Sequence, residues 1–142
     1  VITRAEPDLG VPAGGAKLGL VKGLAVQELG WDEDVDELLR DELMDQIDAD
    51  FVYEALEAVD VVLLWWRDDD GEVVDGLMDA LKDLSPKGVI WLLTPKVGRT
   101  GFVDPADLAD GAIGAGLSLA GSAQVSAEWQ ANKLVRPKAS RK

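Results

Sequence analysis

Three kinds of hydrophobic pattern follow one another along the chain. Unbroken apolar runs come first: Asp60-Val-Val-Leu-Leu-Trp-Trp66 and Val89-Ile-Trp-Leu-Leu93 show no polar alternation, which predicts strands covered on both faces. Leu24-Ala-Val-Gln-Glu-Leu29, closed by Gly30, predicts a first strand of the same kind. Helical spacing is the second pattern. Val35, Leu38, Leu39, Leu43 and Ile47 mark one helix, with Asp32 as its N-cap. Val74, Leu77, Met78, Leu81 and Leu84 mark another, broken by Ser85-Pro-Lys-Gly88. Asp104-Pro105 supplies a cap and a first-turn proline for a third helix running to about Gly116. From Leu117 small, β-tolerant residues predict a strand to about Ser126, a turn near 128–132 and a last strand over 133–136. Residues 48–59 are open, with Phe51-Val-Tyr53 able to form a short strand or to continue a helix.

Strand, helix, strand implies a parallel crossover of right-handed sense. The expected architecture is therefore α/β: a single doubly wound, Rossmann-like, mostly parallel sheet with a C-terminal antiparallel hairpin. Residues 1–16, rich in Pro, Gly and Ala, read as a flexible N-terminal arm; 17–137 as one α/β domain; 138–142 as a basic C-terminal tail.

Composition narrows the chemistry. The 142 residues include no cysteine and no histidine, which removes disulfide frameworks, Cys/His zinc sites, thiol nucleophiles and histidine acid-base chemistry. No catalytic residue, resident metal or cofactor is assigned. The longest bulky apolar runs fall far short of the roughly 18 to 20 residues of a membrane helix. The absence of cysteine and of a leader pattern leads to the expectation of a cytoplasmic protein without a membrane partner. Charge is uneven: residues 1–83 carry 23 acidic and 6 basic groups, residues 84–142 carry 4 and 8, and the formal net charge is −13. Such a surface repels nucleic acid and favours solubility or a basic partner.

Two loops at predicted strand ends draw attention, because open α/β sheets bind ligands there. Thr94-Pro-Lys-Val-Gly-Arg-Thr-Gly101 places Lys96 and Arg99 beside Gly98, Thr100 and Gly101, a set suited to phosphate or carboxylate. Equally, these cations can neutralise Asp32, Glu33 and Asp34 if the loops meet. The acidic loop after the first strand offers Glu28, Gly30, Trp31, Asp32 and Asp34 as further candidates, with a weak divalent-cation site weighed against a solvated helix start. An EF-hand is rejected, since Glu37 and Leu43 stand where glycine and glutamate are needed. Gly111-Ala-Ile-Gly-Ala-Gly116 is better explained by close packing and a helix end than by a nucleotide loop. Among the tryptophans, Trp31, Trp65, Trp66 and Trp91 are expected mostly in the core.

Leu84-Ser-Pro-Lys-Gly-Val-Ile-Trp-Leu-Leu93 and Ala115-Gly-Leu117, in the order strand, loop, helix, terminal hairpin, resemble the carboxyl half of Rossmann-like methyltransferases. In that family an acidic residue is followed by closely spaced glycines after the first strand, whereas here Glu28-Leu-Gly30 leads into Trp31-Asp-Glu-Asp34. Over residues 17–138 the chain is similar to an actinobacterial family of small conserved proteins of unknown function. The matching segments are Val26 to Asp36, Val59 to Arg67, Gly88 to Lys96 and Leu134 to Lys138. The resemblance implies fold and lineage and no assigned activity. The expected function is a non-catalytic binding or regulatory module on a reduced methyltransferase-like scaffold, engaging a protein partner of basic character. The alternative is a diverged S-adenosylmethionine-dependent methyltransferase or small-anion or nucleotide-binding enzyme.

Overall fold

The computed structural model describes residues 14–137. Five strands, β1 (Val26–Leu29), β2 (Val59–Trp65), β3 (Leu84–Pro95), β4 (Ser118–Gln124) and β5 (Trp129–Val135), form one sheet in the order β1-β2-β3-β5-β4. The helices are α1 (Glu37–Ile47), α2 (Val73–Leu81) and α3 (Pro105–Gly114).

Side-chain alternation sorts the apolar residues into two layers. Leu39, Leu43 and Ile47 of α1 pack on Val26, Val61, Leu63, Trp65 and Leu93. Val73, Leu77 and Ala80 of α2, with Leu108 and Ala112 of α3, pack on Val62, Leu64, Ile90 and Leu92. Burial of both faces of β2 and β3 is why those strands are apolar throughout.

The sheet is mixed, which corrects the expectation of a mostly parallel one. β1 with β2 and β2 with β3 are parallel, whereas β3 with β5 and β5 with β4 are antiparallel. The terminal hairpin inserts its second strand beside β3, so β5 runs against the other four strands and two of the four pairings are antiparallel. The open stretch at 48–59 resolves into one bridge: Val52 pairs in parallel with Gln27, its N–H donating to Val26 and its carbonyl accepting from Glu28. Val52 therefore lies on the side of β1 away from β2. The chain first travels outward from β1, then returns past it to β2 and β3, so strand order reverses between β1 and β2. That reversal puts α1 on one face and α2 and α3 on the other, and it opens a crevice at the carboxyl ends of β1 and β2.

Several boundaries differ from expectation. Gly14 to Ala16, assigned to the arm, belong to a 3₁₀ turn, Gly14–Leu18, anchored where the Gly15 N–H donates to Glu42. The rest of the arm and the tail from residue 138 lie outside the described residues. Asp36, rather than Asp32, caps α1, its carboxylate accepting from the Leu39 N–H; Asp32 turns back to the Glu33 N–H. Leu84 begins β3 instead of ending α2, and Ser85 to Gly88 form an irregular opening to that strand, which tolerates Pro86. The hairpin turn falls at 125–128, earlier than read. Asn132, taken for a turn residue, is buried in β5 and donates to the Leu92 carbonyl. Asp104 caps α3 with Pro105 in its first turn, as expected. Gly111 packs against Val73, where a β-carbon would not fit.

Candidate functional site

The crevice between the ends of β1 and β2 is filled by the chain's own polar side chains. Glu28 comes from the last turn of the β1 pleat and points to the α1 face, where its carboxylate is wholly enclosed. It accepts from Arg40 Nε and Nη2 at 2.7 Å each, from Tyr53 Oη at 2.9 Å and from Trp65 Nε1 at 2.8 Å. Arg40 reaches it from the first turns of α1, and Tyr53 from just beyond the Val52 bridge. Four donors satisfy both oxygens, which offsets the cost of enclosing the carboxylate. Bonding to Glu28 and then to Glu37 holds the Arg40 guanidinium above its ordinary value. Burial, then the Glu28 carboxylate, raises the Tyr53 phenol. The Arg40 bond likewise lowers Glu37.

A second arginine closes the mouth. Arg67 lies two residues beyond the end of β2 and is buried. Its Nε donates to Asp34 at 2.9 Å and its Nη1 to the Gly30 carbonyl at 2.8 Å; Nη1 also lies 3.3 Å from Asp70. Asp34 accepts a second bond from Nη2, making the pair bidentate. The guanidinium stands 5.4 Å from the Trp129 ring centroid, within cation–π range. Burial alone would lower Arg67, but its bonds to Asp34 and Asp70 outweigh that and the net displacement is upward. Asp34 is lowered, first through its bond to Arg67. Gly30 (φ 79°) has no alternative here, because a β-carbon would fall on the Trp65 carbonyl oxygen.

Above Arg67 lies an open cleft of about 450 Å³. Asp32, Asp34, Asp69, Asp70 and Glu128 line it against Arg67 and Arg99, so carboxylates outnumber cations five to two. Both sequence candidates meet here: Asp32 and Asp34 from one side, Arg99, Thr100 and Gly101 from the other. They do not pair as anticipated. Arg99 faces Glu128 at 3.6 Å, and Asp34 belongs to Arg67. The loop amides are partly spent, since Lys96 N–H donates to the Glu128 carbonyl and Arg99 N–H to the Lys96 carbonyl. Gly98 (φ 85°) is exposed and Gly101 (φ 90°) packs over Arg67. Glu28 is held apart by Arg40, and among the described residues no three His, Cys, Asp or Glu converge to hold a metal ion. Trp31 is well exposed and donates to Glu37, while Trp65, Trp91 and Trp129 are buried.

Sequence reasoning missed Arg40, Tyr53 and Arg67. A signal existed for two of them. Arg40 is the lone cation between Trp31 and Asp50, and Arg67 stands between an apolar strand and Asp68-Asp-Asp70.

Residues 15–138 match the family described as protein of unknown function, DUF3052. The chain belongs to that family. Uncharacterized proteins of Mycobacterium bovis and Mycobacterium tuberculosis are 46% identical to this DUF3052 chain over 123 residues, covering 86% of it and 77% of theirs. Among solved structures the DUF3052 fold is similar to the CcbJ methyltransferase of Streptomyces caelestis (TM-score 0.56, 13% identity, 91% of this chain and 92% of that one). It is similar too to a TehB-like SAM-dependent methyltransferase of Corynebacterium glutamicum (0.55, 15%, 88% of each). Mitomycin 7-O-methyltransferase MmcR gives 0.54 at 14% identity, over 87% of this chain and 53% of that one, about half its length. At such identities the likeness shows the DUF3052 domain to have a methyltransferase-like fold and carries no activity with it. No helix among the described residues is long and apolar enough to cross a membrane.

Proposed function

We propose that this DUF3052 domain is a non-catalytic binding module of the cytoplasm that engages a basic protein segment at the carboxyl edge of its sheet. One observation carries the reading: the crevice where strand order reverses is occupied by Arg67, bonded to Asp34 and the Gly30 carbonyl, beneath a cleft dominated by carboxylates. The residues present do not fit S-adenosylmethionine there. Gly30 is consumed by the approach of β1 to β2, its carbonyl is engaged, and Trp31-Asp-Glu-Asp34 supplies no run of glycine amides. A cationic side chain entering the cleft gains from the excess of carboxylates, and the same charge weighs against nucleic acid.

The rival reading is a diverged methyltransferase, or an enzyme binding a small anion or nucleotide through Lys96, Gly98, Arg99, Thr100 and Gly101. Its support is the fold. Calorimetric titration separates the two. A hexa-arginine peptide is expected to bind with an affinity that falls steeply with salt and weakens when Asp32, Asp69 and Glu128 are neutralised to Asn, Asn and Gln. S-adenosylmethionine, its homocysteine product and phosphate are expected to give no heat. Stoichiometric binding of any of these three, with no salt-dependent peptide binding, replaces the proposal with its rival.

A further inference from the structure

Toward the opposite end of the strands from the acidic cleft, on the α1 face, lies a groove of about 310 Å³ walled by Leu20, Val61, Val89 and Trp91 with Lys87 and Lys133 beside them. Lys133 on β5 stands directly across from Trp91 on β3, so both project from one face. On its other side Lys133 pairs with Gly121 of β4, which has no side chain to cover it. Lys133 is half-buried. Neither it nor Lys87 takes part in an ion pair among the described residues. Asp60 also borders the groove, but its Oδ2 accepts from the Ala25 N–H at 2.8 Å. Two lysines without carboxylate partners beside an apolar wall are unusual in a chain of net charge −13.

We infer that this groove binds a small amphiphilic anion: a carboxylate or similar head on a short hydrocarbon body. The Lys133 stem packs along the groove, and neither its ammonium nor that of Lys87 meets a carboxylate within ion-pair distance among the described residues, so an acidic head gains two cationic contacts there. Val89, which is partly exposed, and the outer edges of the buried Leu20, Val61 and Trp91 supply the surface against which hydrocarbon leaves water. The volume sits at the lower end of the roughly 300–1,000 Å³ of ligand sites, which limits the body to a short chain or compact ring. The site is separate from the carboxyl-edge cleft and does not rest on the function proposed for it.

The test uses the full chain, labelled with ¹⁵N and titrated with sodium octanoate and, separately, 1-octanol. The Trp91 indole cross-peak is assigned with Trp91→Phe. Octanoate is expected to move that peak saturably. Binding is expected to be about tenfold weaker for octanol, and about tenfold weaker for octanoate in the Lys87→Gln/Lys133→Gln double variant, both comparisons removing the charged contact. A Trp91 peak unmoved by octanoate overturns the inference. So does equal binding of octanol and octanoate with no effect of the double variant, which would leave an apolar crevice without recognition of a head group.

Discussion

At the ends of β1 and β2 the Glu28 carboxylate is fully enclosed and bonded by four donors. After β3, Arg99 and Glu128 face each other at 3.6 Å with more than half of each side chain in water. Both pairs occupy the sheet edge where a ligand would be sought, and both join one carboxylate to one arginine. The enclosed pair was removed from water by the packing of α1 and must be satisfied within the chain. The exposed pair exchanges partners with solvent at little cost. A buried charged network at a strand end is therefore no sign of a free site, whereas the exposed edge above it remains available to a partner.

Breaking the enclosed side should have the largest effect. Arg40→Met strands Glu28 without its cation and is expected to cost about 3–5 kcal/mol, the range for orphaning one partner of a buried pair. Glu28→Gln leaves Arg40 with Glu37 and some access to water, and should cost less. The double variant Glu28→Leu/Arg40→Met is expected to recover much of the loss, since neither charge then remains to be solvated. Urea unfolding, with midpoints compared at unchanged slope, checks all three. A double variant no more stable than Arg40→Met would mean that the Trp65 and Tyr53 donors, left without Glu28, cost as much as the stranded charge.

Arg67 lies between the two extremes, being buried itself while its partner Asp34 is half exposed. Arg67→Met should cost about 2 kcal/mol, the scale of losing charge-assisted bonds whose acceptor can rehydrate. The pair also sets a pH dependence. Asp34 is held below its ordinary value of about 3.9 in the folded protein. Its contribution is complete above that value and is lost as pH falls through the folded value, because the unfolded chain takes up the proton first. Asp34→Asn should lower stability at neutral pH and flatten its decline below about pH 4. Parallel acid unfolding curves for the two proteins would show that other carboxylates govern that decline.

The central strands were legible because uniform apolarity has one good explanation, burial on both faces, and Asp104-Pro105 declared the start of α3 without a competitor. The start of α1 was not, because the five consecutive positions from Asp32 to Asp36 include four acids, and local chemistry does not choose which one meets the Leu39 N–H. The hairpin was misplaced for a tertiary reason: Asn132 has turn propensity but is committed to the Leu92 carbonyl on the neighbouring strand. The antiparallel hairpin was legible, but the insertion of β5 between β3 and β4 left no local mark, so the extent to which the sheet is mixed was not. Residues of both loops line one cleft, while the arginines that decide their state were passed over. Arg40 and Arg67 reach partners 12 and 33 positions away, and pairings over such separations are fixed by topology and not by spacing.

The smallest effect is expected on the exposed side. Arg99→Ala gives up one pair at 3.6 Å between side chains 51% and 60% exposed, and surface pairs of this kind contribute roughly 0–1 kcal/mol. Lys96→Ala removes a side chain whose backbone amide keeps its bond to Glu128. Each should leave stability within about 0.5 kcal/mol of the parent. Both should nonetheless strengthen binding of a cationic peptide, Arg99→Ala the more, because Arg99 lines the cleft and its excess of carboxylates while Lys96 only follows the lining residue Pro95. Weaker or unchanged peptide binding in these variants would mean that the excess of carboxylates does not govern the affinity of this edge for cations, and would count against the proposed binding of a basic segment. Stability and affinity thus move independently at this edge, in contrast to the enclosed pair, where removing either charge alone costs stability.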